Sequence, residues 1–301
     1  MRPHLSRDVS GILLLDKPSG MTSNAALQQV RRLYGADKAG HTGSLDPLAT
    51  GLLPICLGQA TKLSGYLLEA DKRYLVRASV GSCTSTADAE GEVVRRSDAA
   101  ALTRPALETV LPRFTGDILQ RPPMYSALKH QGRRLYELAR QGQEVEREAR
   151  PLRIEALKLL DFGPGFFELD VRCSKGTYIR SLVEDLAAAA GQCAHVAGLR
   201  RLEAGPFREA GMVTAARLEQ IAEQGPQALN ALLLDPLAGL AGWTRVAVDP
   251  AQAARLVQGQ AVRLDCAPPP GRVAVVDGQP RLLGIGEVDA QGLVHPRRWL
   301  A

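Results

Sequence analysis

The chain has 301 residues, 45% of them apolar and 23% charged, with a formal charge of +5 and a pI near 9.1. This is globular composition, long enough for two domains, with a basic excess that favours a polyanionic partner. Cysteines at 56, 83, 173, 193 and 266 form no C-x-x-C pair, which argues against a disulfide framework or zinc knuckle and predicts reduced, mostly buried thiols. The segment Met1-Arg2-Pro3-His4-Leu5-Ser6-Arg7 has no apolar core, and no stretch approaches the roughly 18 apolar residues of a membrane span, so a cytoplasmic location is expected.

The first predicted element is a strand from Gly11 to Leu15, ending in the turn residues Asp16-Lys17-Pro18-Ser19-Gly20. Thr22, Ser23 and Asn24 then offer caps to a helix whose apolar face is Leu27, Val30 and Leu33, closing near Gly35 with Arg31 and Arg32 outward. From Tyr74 to Val80 the residues alternate as in a strand with two unlike faces, placing Tyr74 at its beginning. Further strands are expected at Glu92–Arg95, Leu152–Leu160 and Phe166–Cys173, with helices near Pro105–Leu111 and Arg133–Arg140. The plainest helix is Thr177–Ala190, where Ile179, Leu182, Val183, Leu186 and Ala190 form one stripe and Gly191 gives a stop. Tyr178 and Arg180 flank that stripe. An arginine in a first helical turn opposes the macrodipole, so a local partner is worth seeking.

Composition changes near residue 240. Asp249-Pro250 reads as an N-cap with first-turn proline, Gly259 closes that helix, and short strands follow, separated by Asp277-Gly278 and Asp289-Ala290-Gln291-Gly292. Two domains are expected, residues 1–240 and a small, mainly β unit at 241–301. Strands and helices mix without a βαβ repeat, so the fold class expected is α+β with a mixed, mainly antiparallel sheet.

Chemistry concentrates in the segment Gly40-His41-Thr42-Gly43-Ser44-Leu45-Asp46-Pro47-Leu48-Ala49-Thr50-Gly51. Its glycines and Pro47 specify a tight, preset backbone on which the Asp46 carboxylate is well placed. An isolated Asp-Pro pair is commonly only a turn cap. No P-loop and no G-x-S-x-G elbow occurs, and Gly284-x-Gly286 lacks the succeeding helix of a dinucleotide fingerprint.

Gly43-Ser44-Leu45-Asp46-Pro47, with Ala49 and Gly51, resembles the catalytic loop of TruB-type tRNA pseudouridine synthases. Other segments agree in order: Gly11–Pro18 resembles that family's first motif, Asp71-Lys72-Arg73-Tyr74 its tyrosine motif and Cys173–Arg180 its arginine motif, with Met124–Lys129 and Leu199-Arg200-Arg201 also matching. The resemblance is dense over residues 10 to 210. In Cys83–Asp88 the chain departs from it, with Ser85 where relatives commonly carry an acid. The tail resembles a PUA domain through Gly284–Glu287 and His295–Arg298.

The resemblance implies the pseudouridine synthase fold and an enzyme that detaches uracil from ribose in the T-loop of tRNA, at position 55, rotates it and rejoins it through carbon, without cofactor or metal. The implied catalytic residues are Asp46, Tyr74 and Arg180. Asp46 would act on the ribose, by attack at C1′ or by taking the 2′ proton; Tyr74 would stack on the flipped base; Arg180 would pair with the carboxylate. His41, Tyr178, Leu199 and Lys17, with Tyr74, are the implied substrate contacts. The T-arm of tRNA is the implied partner, with no membrane and no obligatory protein partner, the chain acting as a monomer. Basic residues from Arg121 to Arg153 (Lys129, Arg133, Arg134, Arg140, Arg147 and Arg150 among them), interleaved with Tyr125 and Tyr136, could grip phosphates or form a solvated helix face. Two other readings compete with this one. A dyskerin-like guide-RNA-dependent synthase would be expected to have lysine-rich tails, absent here, and a tRNA-folding chaperone would have no use for Asp46.

Overall fold

The computed structural model describes residues 8–300; the segment Met1–Arg7 and Ala301 lie outside the described residues. The chain opens with β1 (Gly11–Lys17), α1 (Ser23–Tyr34), β2 (Ala39–His41) and β3 (Thr50–Leu57), followed by α2 (Ser64–Leu68) and β4 (Lys72–Val80). The helix α1 is bounded as its sequence predicts. The Thr22 side chain accepts from the Ala25 N–H, and Gly35 stops it in the left-handed region at φ 61°. On β4, Lys72, Tyr74, Val76, Ala78 and Val80 are buried while the intervening residues lie outward, the alternation expected of a strand with one covered face.

The hairpin β5 (Ser82–Thr84) and β6 (Val93–Arg96) follows, then α3 (Arg104–Val110) and β7 (Gly116–Gln120). Next come β8 (Lys129–His130), β9 (Arg133–Arg134) and α4 (Leu135–Ala139). Here the helix expected from Arg133 to Arg140 is corrected to a shorter one. Gln131 and Gly132 both have positive φ, 49° and 85°, and turn the chain into a tight hairpin that takes Arg133 and Arg134 out of the helix. The long pair β10 (Arg150–Gly163) and β11 (Phe166–Cys173) precedes α5 (Ile179–Ala189), so the predicted helix starts at Ile179 and Tyr178 is its N-cap. After β12 (Ala194–Ala204), β13 (Phe207–Arg208) and β14 (Val213–Thr214), the helices α6 (Ala215–Glu223) and α7 (Pro226–Asn230) complete this part.

One ten-stranded sheet runs β14-β1-β3-β12-β4-β11-β10-β7, with β13 added to β12 and β2 to β3. Its pairs are antiparallel except β1 with β14 and β3 with β12. The fold class expected, α+β with a mixed and mainly antiparallel sheet, is therefore observed. Helices α1, α5 and α6 cover one face, burying Val30, Tyr34, Leu182, Val183 and Leu186 with Leu13, Ile55, Val76 and Phe167. Hydrophobic burial of this kind contributes ~25 cal/mol per Å² of apolar surface removed from water.

The tail forms a second sheet from β15 (Thr244–Ala247), β16 (Val262–Arg263), β17 (Gly271–Val276), β18 (Leu282–Val288) and β19 (Leu293–Trp299), with α8 (Pro250–Val257) beside it. The predicted Asp249 cap is present as a full capping box with Gln252. This sheet is not independent of the first. Ala274, Val276, Leu282, Ile285 and Leu300 share one apolar cluster with Ile12, Leu14, Leu52, Leu237 and Leu240. At the junction Tyr66 and Trp243 meet edge to face, ring centroids 5.8 Å apart, and the Arg272 guanidinium lies over the Tyr66 ring. Among the described residues no helix is long and apolar enough to cross a membrane.

Candidate active site

Between β2 and β3 the chain crosses from Thr42 to Ala49 without regular structure, so the loop's backbone groups need partners elsewhere. The turn after β1 supplies several. Ser23, in the first turn of α1, accepts from the Leu45 N–H at 2.7 Å and donates to the Leu45 carbonyl at 3.0 Å. The Gly20 N–H donates to the Pro47 carbonyl at 2.8 Å, and the Ser19 hydroxyl to Leu48 at 3.1 Å. Within the loop the Ala49 N–H donates to the Asp46 carbonyl, closing the turn that carries the carboxylate.

Lys17 is placed differently from its expected role. It is fully buried, and its Nζ donates to the carbonyls of Pro18, Met21 and Pro47 at 2.8, 2.7 and 3.2 Å. An ammonium has three protons, and all three are engaged. Burial pushes this lysine down to about 8, with the Asp46 charge opposing the fall. Lys17 therefore ties the turn after β1 to the Asp46 loop, with all three of its ammonium protons engaged.

Arg180 approaches Asp46 from α5. Its Nε and Nη2 lie 2.9 and 3.2 Å from the two Asp46 oxygens, a bidentate fork. The same guanidinium donates to the carbonyls of Thr86 at 2.8 Å and Tyr125 at 2.7 Å, and its Nη1 is 3.6 Å from the buried Asp88 carboxylate. Arg180 is nearly inaccessible, whereas the Asp46 side chain keeps 37% exposure. The pair thus has one enclosed partner and one that is still partly open to solvent. Enclosure pushes the Asp46 carboxyl above its ordinary value; the Arg180 guanidinium opposes this and the neighbouring Asp88 charge adds to it.

The other expected residues surround this pair. Tyr74, on β4, is buried; enclosure raises its phenol, the nearby Arg201 guanidinium opposes, and the Asp46 charge acts in the same direction as enclosure. Tyr178 is half-buried, and its phenol is raised mainly by burial, with Asp46 again contributing. Leu199 is buried on β12 beside Val76 of β4, and its carbonyl accepts from the Thr50 hydroxyl. His41 ends β2; its Nδ1 lies 3.4 Å from the Gly43 N–H, and burial followed by the Arg201 charge holds its imidazole below the usual value. Tyr74, Tyr178 and Arg180 are thus each brought within electrostatic reach of Asp46, from a strand, the N-cap of a helix and the helix itself.

Three contributors lie outside the expected site residues. Asp88 is buried behind Arg180, its Oδ1 accepting from Thr86 Oγ1 and the Glu90 N–H. The buried Gln120 amide donates to the Tyr178 carbonyl at 3.0 Å and accepts its N–H at 2.8 Å, so the end of β7 fixes the start of α5. Arg201 donates to the carbonyls of Gly43, Ser44 and Leu52. The only sequence signals are that Arg201 ends the matched Leu199–Arg201 segment and Asp88 ends the departing Cys83–Asp88 segment.

The basic span from Arg121 to Arg153 is partly self-engaged. Arg134 and Arg140 lie over the Tyr136 ring, Arg147 pairs with Glu144, and Arg153 pairs with Asp117. Arg121, Lys129 and Arg150 are exposed.

Comparison with known proteins adds the family. Residues 31–179 match the model of the TruB family pseudouridylate synthase N-terminal domain, residues 180–238 that of the tRNA pseudouridylate synthase B C-terminal domain, and residues 244–300 that of pseudouridine synthase II TruB, C-terminal. The chain is 55% identical to tRNA pseudouridine synthase B of Stutzerimonas stutzeri (strain A1501), covering 97% of this chain and 96% of that one. It is 53% identical to the protein of that name from Pseudomonas aeruginosa (strain UCBPP-PA14), over 98% and 97%. Among solved structures, a chain of a Cbf5-Nop10-Gar1 complex superposes with a TM-score of 0.76 at 23% identity, covering 100% of this chain and 88% of that one. A chain of an H/ACA RNP bound to a substrate RNA containing 2′-deoxyuridine gives 0.75 at 21%, covering 97% and 85%. At those identities the structural likeness shows the pseudouridine synthase fold alone, whereas the matched models and the full-length relatives establish more: this chain belongs to the TruB family of pseudouridylate synthases.

Proposed function

We propose that this chain converts uridine to pseudouridine at position 55, in the T-loop of tRNA, acting in the cytoplasm as a monomer without guide RNA or protein partner. The observation that carries the reading is the Asp46–Arg180 fork: a partly exposed carboxylate, held at both oxygens by an otherwise inaccessible guanidinium. A protein that only bound or refolded tRNA would have no use for that arrangement. The guide-dependent reading draws on fold likeness at 21–23% identity, against 53–55% identity to proteins named tRNA pseudouridine synthase B.

The target base must leave its stack, at a cost of a few kcal/mol, which stacking on Tyr74 helps offset. Tyr178 and Leu199 would wall the pocket, and the His41 imidazole would stack in the RNA where the uridine had been. Asp46 then acts on the ribose. The C1′–N1 bond breaks, the base turns while enclosed, and a C1′–C5 bond forms; the proton lost from C5 is balanced by one gained at N1. Atoms balance within one nucleotide, so neither oxidant nor co-substrate is consumed.

The test is incubation of the purified chain with an unmodified tRNA transcript, followed by chemical labelling of pseudouridine and mass spectrometry. Wild type is expected to convert the T-loop uridine alone, and Asp46→Asn to abolish conversion while tRNA binding stays within about threefold. Full activity of Asp46→Asn would remove Asp46 from its role, and a wild type dependent on added guide RNA would overturn the stand-alone reading.

A further inference from the structure

Arg201 is among the most deeply buried side chains of the molecule, at 1% exposure, although it carries a full charge. Its neighbour Arg200 points to the other face of β12 and forms an ordinary bidentate pair with Asp16, both contacts 3.0 Å. Arg201 has a different set of acceptors. Its Nε donates to the Leu52 carbonyl at 2.7 Å, Nη2 to Gly43 at 3.0 Å and Nη1 to Ser44 at 3.5 Å, all of them backbone oxygens. Gly43 and Ser44 precede Asp46 in the loop, and Leu52 follows it on β3. The strand register places the same residue opposite both Gly51 of β3 and Tyr74 of β4. One side chain therefore touches both ends of the loop carrying the carboxylate and stands beside the tyrosine expected to stack on the base.

Burying a cation with no carboxylate at its side costs several kcal/mol unless its donors and field are used. A neutral amide could satisfy a carbonyl here without that cost. The presence of a charge thus calls for an electrostatic use, and the surroundings provide one: the Arg201 cation opposes the burial-driven rise of the Tyr74 phenol and adds to the lowering of His41 and Lys72 by burial.

We propose that Arg201 is a positioning residue of the reaction, fixing the entry and exit of the catalytic loop so that Asp46 is presented to the ribose, while placing a fixed positive charge beside Tyr74 and His41. It touches no reacting atom and acts through the loop. The inference rests on the reading of Asp46 and Tyr74 as reaction residues. A displacement of about 1 Å in such a loop is enough to cost on the order of 10²-fold in rate.

The test uses the full chain carrying Arg201→Met or Arg201→Lys, with tRNA conversion followed under single-turnover and steady-state conditions. Arg201→Met is expected to lower kcat by about 10²-fold with KM within about threefold, and Arg201→Lys, which keeps the charge but loses the fork, by about tenfold. A second readout needs no activity: the His41 ring, titrated by carbon-edited NMR, is expected to move upward in Arg201→Met and to stay near wild type in Arg201→Lys. Wild-type kcat in either variant, a loss confined to KM, or an unmoved His41 titration in Arg201→Met would each overturn the proposal. Should Arg201→Met fail to fold, the kcat and KM of Arg201→Lys decide by the same criterion. An inactive wild type would instead strike the reading of the chain as a stand-alone synthase, and the His41 titration would still judge the placement of the charge.

Discussion

Asp46 is held between opposing influences, and the balance has a measurable consequence. Enclosure raises its carboxyl, Arg180 pulls it down and Asp88 pushes it up, leaving it above the ordinary aspartate value. If the ionised form acts on the ribose, the rate rises with pH on an acid limb whose midpoint lies above that of a free aspartate, then levels. Asp88→Asn removes one upward influence, so the limb should shift to lower pH in single-turnover profiles; an upward shift would contradict this account. The linkage runs the opposite way for stability. A carboxyl whose folded pKa is raised favours the folded state at low pH and loses that contribution as pH rises through the folded value, so ionised Asp46 weighs against stability at neutral pH. Lys17 offers a second residue-scale test. Lys17→Met would leave the Pro18 and Met21 carbonyls without their donor, each costing about 1–3 kcal/mol, while Pro47 keeps the Gly20 N–H, and thermal unfolding followed by circular dichroism should shift down by several degrees. Asp46, Tyr74 and Arg180 were legible because the motif residues stand in the sequence itself. Asp88, Gln120 and Arg201 were not, because a buried polar residue acquires its role from partners up to 158 positions away.

At the scale of elements, the site depends on joints between strands, helices and turns. The turn after β1 clasps the Asp46 loop, β7 fixes the start of α5 through Gln120, and β12 lies between β3 and β4. Gly51 marks the tightest of these joints. It has φ +96°, and a Cβ there would fall 2.4 Å from the Arg201 carbonyl oxygen and 2.9 Å from its nitrogen, both backbone atoms that cannot step aside. Gly51→Ala is therefore expected to cost several kcal/mol and to appear as loss of soluble protein or a large fall in Tm; near-native stability would show that β3 and β12 can separate at no great cost. The sequence predicted α1, β4, β11 and α5 because each has a clear period and an identifiable stop. It misread the stretch from Arg133 to Arg140, where charged residues mask the period and a two-residue turn at Gln131-Gly132 decides the conformation.

At the scale of the whole molecule, the tail sheet and the main sheet share apolar side chains, Ile285 and Ala274 from one meeting Ile12 and Leu52 from the other. Units joined through a common core lose it together, so calorimetry should record one cooperative unfolding transition; two well-separated transitions would mean that this contact contributes little. The domain limit expected near residue 240 passes through that cluster, between Leu237 and Leu240 on one side and the tail strands on the other. It divides the chain in sequence more sharply than it divides the core.

By itself the sequence determined the mixed α+β class, the β nature of the tail and the family resemblance, and it put forward Asp46, Tyr74 and Arg180 as candidates. These follow from local periodicity, turn chemistry and ordered motifs, all readable along one dimension. Only the tertiary structure decided that the Lys17 ammonium is engaged by carbonyls of the turn after β1 and of the Asp46 loop, that Asp88 stands behind Arg180, and that Arg201 ties the loop at both ends. The physical reason is that satisfying buried charge and backbone polarity is a property of three-dimensional neighbours, and no spacing in the chain specifies which distant carbonyl a guanidinium will reach.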